Sequence, residues 1–452
     1  MLEKNKIYRS EITDITSEGN GVCKIDGIAV FVPDTAVGDV ADVKIVKVLK
    51  NFCYGIVSKL ITPSQDRIED GCEVYRKCGG CIFRHISYEA ESRIKADIIR
   101  NAFRRIGGLE PHFDDFIYAD ETSRYRNKAQ YPLAVQDGKA VCGFYAPRSH
   151  RVIPVEDCPL QPAIFSDIIR YCLEFINEKK LSVYDENTNT GIMRHIYLRR
   201  GHHSNEIMVC FVVRKEFSRQ LSSLCNALRE KFSDIVSIIM NINPSKTNVI
   251  LGEKCVTLFG SDTITDTMCG NIIQISPLSF YQVNTAQAER LYARALEYAA
   301  PEKNDTIADL YCGAGTIGLS MADHAASVVG VEIIPDAVEN AKLNAAANNI
   351  TNAEFYCGDA GEVFASLRKK GCSPDIIVVD PPRKGCSEQT LDTVVAAAPK
   401  RVVMISCNPA TAARDAKYLS QNGYSVDKVT GVDLFPRTGH VECVVLMSRN
   451  KA

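Results

Sequence analysis

The feature that most restricts how this chain can fold is a change of rhythm after about residue 271, where short apolar runs begin to alternate with helix-length amphipathic stretches. The run Ile307–Cys312 (IADLYC) gives way to a glycine-rich turn, GAGTIG, and a helical stretch. Ser327–Ile333 (SVVGVEI) precedes a helical pattern from Pro335 to Asn348. Ala353–Ala360 (AEFYCGDA) precedes another, and Asp375–Pro382 (DIIVVDPP) and Arg401–Pro409 (RVVMISCNP) follow in turn. Apolar runs this short and continuous are buried on both faces, so the repeat requires a parallel sheet with crossover helices. In such a sheet the ligand crevice lies beyond the carboxyl ends of the strands. Residues 271–452 are therefore expected to form an α/β, Rossmann-like domain.

The rest of the chain reads differently. Residues 1–60 carry turn signals at Gly19-Asn20-Gly21 and Asp26-Gly27 and a β-branched run from Val40 to Val48, the pattern of a small OB-like β-barrel. Such barrels either carry oligonucleotides or serve as structural caps. Between about 61 and 270 an amphipathic helix from Tyr88 to Arg105 and a mixture of short strands and basic loops suggest an α+β central domain. Three basic stretches stand out: Ser123–Lys128 (SRYRNK), then Arg148, His150 and Arg151, then Arg194, His195, Arg199 and Arg200. Those around Arg126, Arg151 and Arg199 are candidates for phosphate contact, or else ordinary solvated loops. A chain of 452 residues with 53 Lys+Arg against 55 Asp+Glu, net charge −2, is not coated in positive potential, so any nucleic-acid site must be a local patch. The charged N-terminus lacks a secretory signal and no stretch is long enough to span a bilayer, from which a cytoplasmic location is expected. In that compartment most of the 18 cysteines should be reduced and buried as small hydrophobes.

Three strand ends point to the methyl donor. Asp309–Gly315 (DLYCGAG) ends a strand and opens a helix, where glycines let a ligand approach the backbone; Glu332, at the next strand end, is placed to accept ribose hydroxyls. Gly313, Gly315 and Gly318 also satisfy the letters of a dinucleotide fingerprint, but Asp380-Pro381-Pro382 at the fourth strand end tips the balance to S-adenosylmethionine. Arg383 follows, where enzymes that methylate exocyclic amines usually have an aromatic residue, which favours methylation of a ring carbon.

Carbon 5 of uracil is a poor nucleophile until something adds to carbon 6, and a thiolate both adds and leaves readily. Cys407, in Ser-Cys-Asn-Pro at the fifth strand end, is placed for that role, although a cysteine taken alone is more often structural. Glu442, opening the final strand in His440-Val441-Glu442, is the best candidate for the base that removes the carbon-5 proton.

With these motifs the chain resembles the RNA (uracil-5-)-methyltransferases, and among them the ribosomal RNA branch with an N-terminal TRAM barrel and a cysteine cluster. The resemblance runs through CEVYRKCGGC, DCPL, SFYQVN, DLYCGAG, DPPRKG, SCNP and GHVE, so it covers essentially the whole chain. It implies Cys407 as nucleophile and Glu442 as base, Gln282, Tyr311, Glu332 and Asp380 around S-adenosylmethionine, and Asp359 at its adenine. It also implies a [4Fe–4S] cluster on Cys72, Cys78, Cys81 and Cys158; the four thiols by themselves would equally suit zinc. The implied substrate is RNA, 23S ribosomal RNA in particular, with the target base turned out of its stack, and no membrane or protein partner. Two other readings stay open: a cytosine-5 methyltransferase, which usually has a cysteine beside the fourth-strand proline turn that is missing here, and an inactive RNA-binding protein.

Overall fold

A computed structural model describes residues 2–69 and 71–450. Among them no helix is long and apolar enough to cross a membrane.

The N-terminal region is a six-stranded sheet in the order Ile7–Glu11, Val40–Val48, Phe52–Thr62, Ile28–Val32, Gly21–Ile25, Asp14–Ile15. Asp26 and Gly27 both have positive φ (51° and 79°) and close the hairpin that pairs Ile25 with Ile28, as a two-residue primed turn requires. Inward residues alternate along the strands, with Cys23, Val30, Val32, Val43 and Ile45 fully buried. Three register shifts between Val40–Val48 and Phe52–Thr62 bend the sheet over this core. At Gly55 the strands approach so closely that a Cβ would lie 2.4 Å from Val43 Cγ1.

The central region is built on a seven-stranded mixed sheet ordered Val152–Pro154, Lys139–Tyr145, Lys128–Gln136, Met193–Arg200, Ile207–Val213, Ile235–Ile242, Lys254–Gly260. The helices Ala163–Glu178 and Ser218–Lys231 cover it through Phe165, Ile168, Leu221 and Leu224. A hairpin, Ile264–Met268 with Asn271–Ile275, then leads to the helix Thr285–Ala299.

The C-terminal sheet has eight strands, in the order Ala353–Cys357, Ser327–Glu332, Thr306–Leu310, Ile376–Val379, Arg401–Ser406, Glu442–Arg449, Tyr424–Val432, His112–Phe113. The first five are mutually parallel and Glu442–Arg449 enters antiparallel. Strand order reverses between Thr306–Leu310 and Ile376–Val379, the switch point at which an open α/β sheet leaves a crevice.

One segment packs away from the region in which it lies in sequence. The helix Tyr88–Ala102, N-capped by Ser87, buries Ile99 and Ala102 with Phe103 against Ala412, Ala413 and Ala416 of the C-terminal α/β layer. The two-residue strand after it pairs with Tyr424–Val432. Amphipathic periodicity shows that a helix has an apolar face, not which apolar surface that face meets.

Candidate active site

A cavity of about 1060 Å³ opens at the carboxyl ends of the C-terminal strands, and Gln282, Tyr311, Glu332, Asp359 and Asp380 all line it together with Cys407 and Glu442. At its floor the strand Thr306–Leu310 turns sharply, with Tyr311 at φ 68° and Gly315 at φ 80°. A Cβ on Gly315 would meet Ala341 and the Phe355 ring at 3.1 Å, so both backbone angle and space call for glycine. Glu332 is fixed by the turn it faces: Oε2 accepts from Gly313 N at 3.1 Å and Oε1 from Ile334 N at 2.9 Å. Each of its oxygens keeps a lone pair for a ligand hydroxyl. Asp359 caps the helix Ala360–Lys369, Oδ1 accepting from Gly361 N and Glu362 N. The Tyr311 hydroxyl lies 3.0 Å from Thr390 Oγ1. Gln282 comes from the segment before the helix Thr285–Ala299, and its carbonyl accepts from Asn127 Nδ2 at 2.8 Å, which ties the central sheet to the cavity wall.

The other end of the cavity holds the thiol. Cys407 sits between the strand Arg401–Ser406 and the helix Pro409–Gln421, just before the N-cap Asn408, whose side chain accepts from Ala410 N and donates to Arg383 O at 2.9 Å. The Asp380-Pro-Pro-Arg turn is thereby locked to the Cys407 turn. Ser406 pairs with Cys443 in antiparallel register, and the next residue on each side, Cys407 and Glu442, lines the same cavity. Arg383 Nη2 reaches His440 Nδ1 at 3.2 Å.

The charges here are unusual for a protein interior. Burial first, then Asp380, pushes Glu442 up to about 8. Burial and Asp309 push Asp380 up to about 7, and burial pushes Asp309 to about 7 as well. Asp309 Oδ2 accepts from Gly318 N at 2.8 Å, while its Oδ1 has no hydrogen-bond partner. The Cys407 thiol is raised to about 11 by burial, then by Glu442 and Asp380, with Arg383 opposing. The start of the helix Pro409–Gln421 adds a field that favours the thiolate. Clustered carboxyls of raised pKa are what an acid–base site for neutral pH needs.

Two wall residues carried no signal of their own in the motifs. Phe280, 69% exposed, stands at the cavity lip, and Phe435 lines the thiol end. The basic stretches are largely consumed inside the fold. Arg199, expected at phosphate, is 4% exposed and donates to Ser279 O and Tyr197 Oη. Arg194 donates to the Asn243 and Ser245 carbonyls at 2.7 Å, and Arg124 forks onto Asp157. Arg126 is half-buried, whereas Arg148 and Arg151 are exposed.

Cys72, Cys78, Cys81 and Cys158 line a second, separate cavity of about 90 Å³, into which Arg126 also faces. Burial raises Cys81 to about 12, with Cys158 and Cys78 adding to the shift. Arg126 Nε is buried without a hydrogen-bond partner. Among the described residues no three His, Cys, Asp or Glu side chains are spaced to hold a single metal ion; tetrahedral thiolates on one zinc would stand about 3.8 Å apart. Four thiols around a common cavity, beside a guanidinium nitrogen that lacks a partner, are a donor set that fits an anionic iron–sulfur group.

Comparison with known proteins agrees with this arrangement. Residues 87–450 match the tRNA (uracil-5-)-methyltransferase family and residues 2–57 the TRAM domain. An uncharacterized RNA methyltransferase of Bacillus cereus is 43% identical over 449 residues, covering 99% of this chain and 98% of its own length. Another, from Staphylococcus aureus (strain MSSA476), is 40% identical over 453 residues and 99% of each chain. Among solved structures, Pyrococcus abyssi tRNA (uracil-54, C5)-methyltransferase in complex with S-adenosyl-L-homocysteine superposes with a TM-score of 0.77 at 28% identity, covering 97% of this chain and 99% of that one. With a family match over most of its length, relatives of that identity along nearly the whole of it, and a cavity where the strand ends of the sheet require one, this chain belongs to the RNA uracil-5-methyltransferase family and carries a TRAM domain.

Proposed function

We propose that this protein transfers a methyl group from S-adenosylmethionine to carbon 5 of a uridine in RNA, 23S ribosomal RNA in particular, through a transient bond between Cys407 Sγ and carbon 6. The observation that carries the proposal is the placement of Cys407 and Glu442, on either side of the Ser406–Cys443 pair, in the cavity that also holds Glu332, Asp359 and Asp380. The donor, when bound, supplies an electrophilic methyl on a sulfonium. Glu332 accepts its ribose hydroxyls, Asp359 meets its adenine, and Gln282, Tyr311 and Asp380 close around the remainder. The Cys407 thiolate adds to carbon 6, and the electron pair displaced to carbon 5 takes the methyl. Glu442 then removes the carbon-5 proton; the pair left behind restores the 5,6 double bond and expels the thiolate. Exposed Phe280 offers a face on which an unstacked base can rest.

Cys72, Cys78, Cys81 and Cys158 hold a [4Fe–4S] cluster in this proposal. Bound, it supplies a fixed anionic cross-link between the segment 72–81 and Cys158, since methyl transfer itself consumes no electron.

A second reading concerns the RNA alone. The Pyrococcus abyssi enzyme that matches along 97% of this chain acts, by its name, on tRNA, so the presence of an N-terminal sheet does not separate ribosomal from transfer RNA. The decisive experiment offers unmodified 23S rRNA and unmodified tRNA, each also prepared with 5-fluorouridine, to the enzyme and labelled donor. The fluorine cannot leave carbon 5 as a cation, so the true substrate should be methylated once and stay attached through denaturing electrophoresis. Cys407→Ala should form no adduct, whereas Cys312→Ala should still trap. Methylation by Cys407→Ala at the wild-type rate, or an adduct on another cysteine, overturns the mechanism; trapping of tRNA alone transfers the substrate assignment.

A further inference from the structure

Glu442 is reached through a nine-residue loop, 433–441, joining the last two strands, and Val432 pairs with Glu442 across its base. An ammonium group is buried beneath this loop. Lys95, on the helix Tyr88–Ala102, is fully buried, with Nζ 2.6 Å from Glu91 Oε1, 2.8 Å from Asp433 Oδ1 and 3.1 Å from Phe435 O. Glu91 and Asp433 are also fully buried. Glu91 Oε1 accepts from Arg437 N at 2.7 Å and Asp433 Oδ1 from Phe435 N at 3.2 Å. The loop is therefore gripped at its first, third and fifth residues by a charge system belonging to a helix more than three hundred residues earlier in the chain. Arg437 holds φ 69° and its carbonyl accepts from Ile82 N and Phe83 N, directly after Cys81.

Stability alone does not explain this arrangement. Removing three charges from water costs several kcal/mol, and well-packed apolar replacements of a buried ion system are often as stable or more so. The network is also incompletely satisfied: Asp433 Oδ2 lacks a hydrogen-bond partner, and Glu91 Oε2 meets only the Arg437 guanidinium, at the ion-pair distance of 3.6 Å. What the charges add over apolar packing is direction: they fix where Asp433, Phe435 and Arg437 sit. Phe435 and Glu442 both line the catalytic cavity.

We propose that Lys95, with Glu91 and Asp433, is a positioning device that sets the 433–441 loop so that Glu442 faces carbon 5 of the substrate. It touches neither substrate nor donor and acts only through the loop. This inference rests on the base role proposed for Glu442.

The test compares wild type, Glu442→Gln, Asp433→Asn, and a triple variant, Lys95→Met with Glu91→Gln and Asp433→Asn, which neutralises the three fully buried groups together while the Arg437 guanidinium, 3.6 Å from Glu91 Oε2, keeps its bond to Ile86 O, and so separates positioning from folding. Melting temperature, donor affinity, kcat, KM for RNA and the amount of denaturation-resistant enzyme–RNA adduct on ordinary uridine are measured for each. For the triple variant we expect kcat to fall roughly tenfold to hundredfold, as a misplacement of about an ångström would produce. Donor affinity and KM should stay within about twofold, and adduct should accumulate because its resolution is slowed. Wild-type kcat in a folded triple variant overturns the proposal, as does a loss of kcat matched by a loss of donor affinity with no adduct. If Glu442→Gln itself accumulates no adduct, the base assignment has failed; if it does and the triple variant does not, only the positioning role has.

Discussion

Cys407 and Glu442 line the same cavity, each one residue beyond the antiparallel pair of Ser406 and Cys443, which brings the proposed nucleophile and the proposed base together although they are 35 positions apart in sequence. The carboxyl acts on the thiol: Glu442 is one of the groups that raise the Cys407 pKa. Glu442 is held up to about 8 by burial and Asp380, and the Cys407 thiol up to about 11 by burial and then by Glu442 and Asp380. A carboxylate of pKa near 8 is a stronger base than an ordinary one, which suits removal of a carbon-bound proton.

The pH dependence of adduct resolution, in which the Cys407 thiol is already bonded, should follow from that value. The base acts only when ionised, so the rate at which preformed adduct resolves should rise with pH and level off above about 8. Glu442→Gln should lose turnover by about two to four orders of magnitude, the usual range for a general base, keep forming adduct, and resolve it at a rate that does not vary with pH. A rising limb in Glu442→Gln with the wild-type midpoint would move the base role to another group.

Asp309 should make folding stability depend on pH. Its folded pKa is raised from 3.8 to about 7 by burial, so its protonated form is favoured in the native state. The stability this contributes is complete below the unfolded value near 4 and is lost as pH rises through about 7, a difference on the order of a few kcal/mol. Asp309→Asn keeps an oxygen for Gly318 N and removes the charge. Its melting temperature should vary less between pH 5 and pH 8 than that of wild type; an unchanged difference would show that the carboxyl is not the source.

Glu332 should govern donor affinity through its two oxygens, which the Gly313 and Ile334 amides hold in place. Glu332→Ala removes the ligand's acceptors and leaves those amides without their partner. The dissociation constant for S-adenosylhomocysteine should rise by about tenfold to hundredfold, the cost of one or two lost hydrogen bonds to a charged group. Affinity unchanged within twofold in a calorimetric titration would exclude the ribose contact.

The cysteine cavity yields a spectroscopic prediction. Protein purified without oxygen should be brown and contain iron and sulfide, and Cys78→Ser should lose the visible absorbance. Stoichiometric zinc without iron in the same preparation would replace the cluster with a zinc site.

The sequence by itself determined the elements whose signals are local. Alternating apolar runs and helical stretches specified the parallel sheet, because burial on both faces leaves a continuous β-branched run. The turns DLYCGAG, DPPR and SCNP could be placed at strand ends because glycine and proline restrict φ within one or two residues, and those turns carry Tyr311, Asp380 and Cys407 into one cavity. Tertiary structure alone decided what depends on partners distant in the chain. The helix Tyr88–Ala102 shows its apolar face in its periodicity, yet only the packed molecule assigns that face to Ala412 and Ala416 and buries Lys95 beneath the loop that leads to Glu442. Arg199 reads as a free surface cation until Ser279 and Tyr197 enclose it. The raised pKa values of Asp309, Asp380 and Glu442 arise from desolvation among residues 62 or more positions apart. Burial and charge environment are sums over neighbours in space, and a short stretch of sequence holds only its own share of that sum.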